Sequence, residues 1–178
     1  MKRLFVCILV LIFSYLVSYS QEKHVLLSMQ DTAWFNFWIG DWSAYWYVKD
    51  SVKETAENRI KRILNDKVIL EEFKITSGAG IGFEGKSWSV YNGNTGQWYQ
   101  TWVDNSGAYL DFIGLLDGGK RIFQREFVNK KGDVVKQRMV FKDITANTFT
   151  WDWESSLDGG KTWQNNWQLF YNRKNLPK

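Results

Sequence analysis

Apolar and polar residues alternate along most of this chain with a period of two, which is the pattern of half-buried β-strands. Short stretches rich in Asn, Asp and Gly separate these segments, and those residues tolerate the positive φ of tight hairpin turns. Because nearly every connection is short enough for a hairpin, consecutive strands should be neighbours in one antiparallel sheet. The predicted strands are 41–49, 54–65, 67–76, 82–91, 97–103, 107–115, 120–128, 133–142, 147–156 and 162–173.

The number and order of these segments predict how the sheet ends. Ten strands in up-and-down order would leave two edges of unpaired backbone groups, and closure of the sheet removes both edges. The pattern therefore predicts an all-β fold, an up-and-down antiparallel barrel of about ten strands. A short N-terminal helix over 29–39 should precede it, because Trp34 and Trp38 are spaced to share one helical face and Gly40 follows.

Tryptophan is the most distinctive component of the composition, with 11 residues in a chain of 178. Four pairs are separated by even numbers, which should put both members of a pair on one face of a strand. These pairs are Trp42/Trp46, Trp98/Trp102, Trp151/Trp153 and Trp163/Trp167. The rings could fill a core or line a ligand cavity, since barrels of this size can enclose space. A one-residue change of register reverses the face, so the sequence leaves both readings open.

The N-terminus has the three parts of an export signal. Lys2 and Arg3 supply positive charge, residues 4–17 are almost wholly apolar, and residues 18–20 form a small-x-small cleavage site. The apolar run is shorter than the roughly 20 residues of a membrane-spanning helix, which argues against an uncleaved anchor. We therefore expect a signal peptide over 1–20. The mature chain, 21–178, should be a single periplasmic or secreted domain without a membrane span.

Several kinds of chemistry lack the residues that they require. Cys7 lies in the predicted signal peptide, and His24, the only histidine, lies near the predicted mature N-terminus. We therefore expect no metal site, cofactor or catalytic triad. Basic and acidic residues are interspersed, which argues against nucleic-acid binding. The only proline is Pro177, as suits long hydrogen-bonded strands. We expect a monomer or a weak oligomer.

A short motif at each end of the strand pattern resembles a known signature. Gly40-Asp41-Trp42 opens the first strand, and Arg173 ends the last one. Together they resemble the signature of the calycins, the superfamily of lipocalins and related barrels. The resemblance implies that Trp42 packs beneath the barrel and that Arg173 stacks on its ring. Such a cation–π contact contributes roughly 1–2 kcal/mol when it is partly desolvated.

Most of the predicted mature chain also resembles a group of exported bacterial proteins with a lipocalin-like fold. The resemblance is carried by residues 37–42, 156–163 and 171–173. The function of that group is open, so the resemblance implies a calycin-type barrel and no particular activity.

The segment 156–163 is also similar to the Asp-box hairpin of sialidases and other β-proteins. Its pattern is Ser156-x-Asp158-x-Gly160-x-Thr162-Trp163. In such a hairpin the aspartate accepts turn N–H groups, the glycine takes a positive φ and the tryptophan packs underneath. Sialidases repeat the box across several propeller blades, whereas this chain has one full copy and is too short for such a propeller. We therefore expect a structural role for this motif.

Polar residues on apolar strand faces are the candidates for a binding site. Glu71 shares its face with Ile69, Phe73 and Ile75. In the hairpin 120–142, a four-residue loop at 129–132 would pair Glu126 with Val135 and Gln124 with Gln137, and would put these polar residues on the more apolar face. The candidate ligand-binding residues are Glu71, Trp102, Gln124, Glu126, Gln137 and Trp153.

These features favour a binding protein over an enzyme, and no catalytic residue is assigned. The main hypothesis is an exported barrel that binds a small apolar or amphipathic ligand, lipid-like or carbohydrate, inside its lumen. One alternative is an interaction domain that binds glycans or a partner through exposed tryptophans. The other is a hydrolase in which inward carboxylates, Glu71 and Glu126, act as general acid and base. The direction in which each tryptophan points should discriminate among the three.

Overall fold

The computed structural model describes residues 32–49 and 52–174. The chain divides into two units between Trp34 and Phe35, and the second unit contains the whole β-sheet. The predicted signal peptide lies outside the described residues, and the predicted boundary at residue 21 stays a prediction. Within the described ranges, no helix is both long enough and apolar enough to cross a membrane.

Ten antiparallel strands form a closed up-and-down barrel, which confirms the predicted fold class. Each strand pairs with its neighbours in sequence, and β1 pairs with β10 to close the sheet. The strands are β1 (Gly40–Tyr47), β2 (Lys53–Ile63), β3 (Val68–Ile75), β4 (Glu84–Asn92), β5 (Gln97–Asp104), β6 (Tyr109–Asp117), β7 (Lys120–Val128), β8 (Val134–Lys142), β9 (Thr148–Ser156) and β10 (Gln164–Arg173).

A short 3-10 turn precedes the first strand. The predicted helix over 29–39 begins outside the described residues, and its described C-terminal part contains the 3-10 turn Asn36–Trp38. Phe35 and Trp38 are both buried there. The Phe35 ring stacks on Phe123 of β7, with ring centroids 4.5 Å apart. The turn therefore fills one end of the barrel with aromatic rings.

Trp42 and Arg173 close the same end. Trp42 is fully buried and donates its indole N–H to the Trp38 carbonyl at 2.8 Å. The Arg173 guanidinium lies 4.1 Å from the Trp42 ring centroid and donates to the carbonyls of Ile39 (2.7 Å) and Phe37 (2.9 Å). One arginine thus ties the last strand to the chain that enters the first strand.

The tryptophans of β1, β5 and β9 face the barrel interior, two on each strand. The pair Trp163/Trp167 was expected to share a face, and this prediction was wrong. A bulge between Asn165 and Trp167 inserts one extra residue into β10. Trp167 therefore packs inside against Trp151, whereas Trp163 packs outside beneath Arg138, whose guanidinium lies 3.8 Å from its ring centroid.

The register of β7 and β8 also differs from the prediction. Val128 pairs with Val134, so the connection has five residues, 129–133, and not four. Glu126 therefore pairs with Lys136 and not with Val135. Asn129 holds this longer turn by accepting backbone N–H groups from Lys131 (2.9 Å) and Asp133 (3.0 Å). The extra residue reverses the face that β7 was expected to present.

Gly40 should be essential to the closed end. Its φ is +136°, and a methyl group added there would overlap the Arg173 guanidinium. We expect Gly40→Ala to lower the free energy of unfolding by about 2 kcal/mol or more, because backbone strain adds to the displacement of Arg173. Urea denaturation followed by tryptophan fluorescence measures this change.

Gly93→Ala is the matched control, because an added methyl group at this turn glycine meets open space. It should change the free energy of unfolding by no more than about 0.5 kcal/mol. Equal effects of the two substitutions would show that the contact between Gly40 and Arg173 is unimportant.

Candidate functional site

A cavity of about 200 Å³ lies inside the barrel, towards the end opposite the Trp42–Arg173 closure. That end carries the connections from β3 to β4, from β5 to β6 and from β9 to β10. Most of the wall is aromatic, and several wall side chains are partly exposed, so the cavity communicates with solvent. The lining residues are Trp38, Glu71, Phe73, Phe83, Trp102, Leu110, Met139, Trp151, Trp153, Trp167, Leu169 and Tyr171.

The aromatic wall is held by ring-to-ring packing. The rings of Trp151 and Trp153, two residues apart on β9, are nearly parallel, with an angle of 8° and centroids 6.4 Å apart. Trp167 meets Trp151 edge-on at 5.9 Å. On the other side, Trp102 is stacked with Phe83 at 6.5 Å. These contacts fix the rings before any ligand arrives.

Gly85 allows Trp102 to take its position in the wall. A methyl group added at Gly85 of β4 would overlap the Trp102 ring, so the ring lies directly against the backbone of the neighbouring strand. The Trp102 indole N–H donates to Asp104 at 2.9 Å. Backbone contact and this hydrogen bond together hold Trp102 flat along the inner face.

Glu71 is the polar group of the cavity wall. It lies on the inner face of β3 with Ile69 and Phe73 on either side, as the alternation of that strand predicts, and is 7% exposed. Its carboxylate accepts hydrogen bonds from Asn58 Nδ2 of β2 at 2.7 Å and from the Ser87 hydroxyl of β4 at 2.6 Å. Both neighbouring strands thus supply one donor each to Glu71.

Burial determines the protonation of this site. Loss of solvation raises the pKa of Glu71 from an ordinary 4.5 to about 7, although the hydrogen bonds from Ser87 and Asn58 act in the opposite direction. Burial and the nearby Glu71 carboxylate also raise the pKa of Tyr171. Among the described residues, no lysine or arginine forms an ion pair with Glu71. Glu71 therefore titrates near neutral pH without a counter-ion in the part of the chain that the structure describes.

Three buried polar atoms near the cavity have no hydrogen-bond partner in the described structure. They are Asn58 Oδ1, Gln100 Oε1 and Trp38 Nε1. Gln100 of β5 donates its amide group to Ser87 at 3.2 Å and to Ser89 at 3.0 Å, which leaves its oxygen free. Unpaired buried polar groups are costly and often mark a place where a ligand or water binds.

The predicted site residues divide into two groups. Glu71, Trp102 and Trp153 line the cavity together. Gln137 also lies on the inner face, on the same face of β8 as Met139, but its side-chain oxygen accepts a hydrogen bond from Arg125 at 2.9 Å and it does not line the cavity.

Gln124 and Glu126 lie on the outer face, and their predicted inward position was wrong. The five-residue connection shifts β7 by one residue, so that Phe123 and Arg125 face inward in their place. The Glu126 side chain is 54% exposed and pairs with Lys136 at 3.5 Å. Glu71 and Glu126 therefore do not share a cavity, and they cannot act as a pair of general acid and base.

Sequence reasoning missed the polar network around Glu71, which consists of its two hydrogen-bond partners and the residues that bind those partners. Asn58, Ser87, Gln100 and Tyr171 come from four different strands, and only the register brings them together. Gln100 had a detectable signal, because it lies midway between Trp98 and Trp102 and must share their face. The small inner residues of β4, Gly85, Ser87 and Ser89, are a second signal, since they leave space beside a large wall.

The hairpin 156–163 is a tight polar turn on the surface. The Asp158 carboxylate accepts backbone N–H groups from Lys161 and Thr162, each at 3.0 Å, and the Thr162 hydroxyl at 2.6 Å. These hydrogen bonds lower the pKa of Asp158 below its usual range. Trp163 donates its indole N–H to the Gly160 carbonyl at 3.0 Å. All these contacts are internal to the hairpin, as a structural role requires.

Comparison with known proteins adds no assignment: the chain matches no protein-family model and no curated protein. Within the described ranges, no three His, Cys, Asp or Glu side chains converge in a way that could hold a metal ion. The chemistry of the site therefore has to be inferred from the cavity itself.

Replacing Glu71 should stabilise the protein at high pH. Folding raises the pKa of Glu71, so the folded state binds this proton more tightly than the unfolded state does. The resulting contribution to the free energy of unfolding is fully present below about pH 4.5 and is lost as the pH rises to about 7. Glu71→Gln can keep both hydrogen bonds, since the Ser87 hydroxyl can also accept. We expect this variant to be more stable than the wild type at pH 8, on the order of 3 kcal/mol, and to approach it at pH 5. Urea denaturation at both pH values measures the difference.

Glu72→Gln is the control on the neighbouring residue. Glu72 lies on the outer face, where hydrogen bonds from Lys86 and Lys61 lower its pKa. The ionised Glu72 carboxylate therefore contributes to the free energy of unfolding at pH values above its ordinary pKa. Because the substitution removes this small contribution, the free energy of unfolding at pH 8 should be unchanged or slightly reduced. If Glu71→Gln were no more stable than Glu72→Gln at pH 8, the carboxylate would not be buried as described.

Proposed function

We propose that this barrel binds a small, largely apolar molecule with one polar group in the cavity beside Glu71. The observation that supports this most directly is the cavity of about 200 Å³ inside the barrel, with a mainly aromatic wall. A dry apolar cavity of about 150 Å³ is enough to hold benzene. The volume therefore suits one aromatic ring, or an aliphatic group of similar size, with a short polar substituent.

The composition of the wall supports binding rather than packing alone. Close-packed interiors rarely leave voids larger than a water molecule. Here Trp102, Trp151 and Trp153 line a space that would hold several waters, since each water takes about 30 Å³. A few polar groups within an apolar pocket are the usual composition of a small-molecule site.

The two alternatives have weaker support. Of the described tryptophans outside the barrel, Trp163 is covered by Arg138, and Trp88 is the one that is exposed, at 39%. A single ring is a poor basis for a glycan-binding surface. The hydrolase hypothesis required a second inward carboxylate, and Glu126 points outward.

We further propose that the protein is an exported member of the lipocalin-like calycins. The closed ten-strand barrel and the contact between Arg173 and Trp42 support that family. The hydrogen bonds around Asp158 likewise support the Asp-box assignment. Export rests on the sequence of residues 1–20.

Export predicts a defined N-terminus. Expression of the full-length chain in a bacterium that exports proteins, followed by intact-mass measurement of the periplasmic fraction and medium, should give a chain that begins at Gln21. Retention of residues 1–20 in a cytoplasmic product would contradict export without affecting the proposed cavity.

Filling the cavity should abolish binding. Leu110→Trp places a large ring in the lumen, since Leu110 lines the cavity and is only partly buried. We expect the wild type to bind 2-phenylethanol, a neutral probe of suitable size, and the variant to lose at least tenfold in affinity. Isothermal titration calorimetry measures both affinities.

Leu116→Trp is the matched control, because Leu116 lies on the same strand, is 44% exposed and does not line the cavity. It should bind the probe as the wild type does. Equal loss in the two variants, or binding that survives Leu110→Trp, would place the probe outside the cavity and contradict the proposal.

A further inference from the structure

Glu71 is the charged side chain that lines the cavity, since the inward Arg125 lies outside the lining and donates to Gln137 instead. Of the described residues that line the cavity, Glu71 is the one that becomes charged near neutral pH, because the pKa of Tyr171 is raised further. No described lysine or arginine pairs with Glu71. A buried carboxylate without a counter-ion favours a ligand that brings positive charge.

The polar groups around Glu71 are rich in unused acceptors. A carboxylate has about four lone-pair sites, and the described contacts use two of them, with Asn58 and Ser87 as donors. Behind it, Asn58 Oδ1 and Gln100 Oε1 are buried without a donor. An ammonium group has donors and no acceptors, so it complements this arrangement.

The remaining wall is also suited to a cation. Trp102, Trp151, Trp153 and Trp167 all line the cavity, and indole is the side chain whose face attracts cations most strongly. Trp38 Nε1, a buried donor on the wall without a hydrogen-bond partner, can meet the face of an aromatic ring in the same ligand. Aromatic walls combined with a single carboxylate recognise organic cations by attraction from several sides.

We propose that the ligand is an organic ammonium ion, a protonated amine on an aromatic or compact aliphatic body, whose nitrogen binds the Glu71 carboxylate. This inference rests on the proposed function of the cavity and names the chemical class of its ligand. The body of the ligand lies among the tryptophans, and its charge lies at the β2–β3–β4 wall. Binding then supplies the counter-ion that the described residues do not provide for Glu71.

Protonation of Glu71 should control this binding. The side chains that contact its carboxylate are Asn58 of β2 and Ser87 of β4, and Tyr171 of β10 is the nearby titratable group, which stays neutral. Since the pKa of Glu71 is about 7, the carboxylate is largely protonated at pH 6 and ionised at pH 8. The affinity for a cation should therefore rise between these pH values.

The test uses three probes of one size and different charge on the intact mature chain. They are 2-phenylethylamine, which is a cation from pH 6 to pH 8, 2-phenylethanol, which is neutral, and phenylacetate, which is an anion. At pH 8 we expect the amine to bind at least tenfold more tightly than the alcohol, and the anion more weakly than either. At pH 6 the preference for the amine should fall severalfold. Calorimetry measures each affinity, with quenching of tryptophan fluorescence as a second readout.

Two variants separate the charge of Glu71 from its shape. In Glu71→Gln the ratio of amine to alcohol affinity should fall to about one and lose its pH dependence. In Glu72→Gln, one residue away on the outer face, the wild-type ratio should persist. If Glu71→Gln does not fold, the pH dependence of the wild type still decides the question.

The outcomes distinguish the two proposals. Equal binding of amine and alcohol, or tighter binding of the anion, overturns the inference of a cationic ligand and leaves a cavity that binds neutral molecules. Binding of none of the probes at millimolar concentration overturns the cavity proposal and the cation proposal together. An amine preference that survives Glu71→Gln also overturns the inference, because it places the cation elsewhere.

Discussion

Closure of the ten-stranded sheet is the constraint on which the rest of the structure depends. Pairing of β1 with β10 removes both edges and gives the sheet an inside whose side chains differ from those outside. The closing pair brings Trp42 opposite Arg173, and the guanidinium then reaches back to the carbonyls of residues 37 and 39. One end is thereby filled, and the cavity lies between Trp38 at this end and the open end of the barrel.

Closure of the sheet also explains how the Glu71 carboxyl group can be buried inside the barrel. Alternation on β3 makes Glu71 point inward between Ile69 and Phe73, where it is only 7% exposed. Desolvation alone would make the charged form very costly, but Asn58 and Ser87 from the two adjacent strands partly replace the lost water. The result is a group poised between its two protonation states near neutral pH. A stable fold alone has no need of such a group, and this supports the proposal that the cavity binds a ligand.

The fold could be predicted from the sequence because short stretches of residues are enough to identify its strands and turns. Hairpin turns and alternation specify the ten strands, and the strands with one clearly apolar face, such as β3, also specify the direction of their side chains. The predictions were wrong for β7 and β10, where the local pattern of residues does not define which face points inward. On β7 both faces carry apolar and polar residues, so only the length of the 129–133 connection sets the register. The bulge between Asn165 and Trp167 gives no signal in the sequence, because residues 164–166 are all polar and show no alternation that an inserted residue could interrupt.

The site was predictable only in part, for a related reason. Glu71, Trp102 and Trp153 could be identified because each lies on a strand whose alternation is clear. Asn58 and Tyr171 could not, since 113 residues separate them in the chain and only the closed sheet brings them within 3.4 Å. The register of the strands decides which residues of distant strands meet inside the barrel, and only the three-dimensional structure establishes that register.

The most direct test of the account is a crystal structure of the mature protein grown at pH 8 with 2-phenylethylamine. We expect the probe inside the barrel, with its ring beside Trp102 and Trp153 and its nitrogen within hydrogen-bond distance of the Glu71 carboxylate. A lumen closed by collapsed tryptophan side chains, or a probe bound only to the outer surface, would contradict the account.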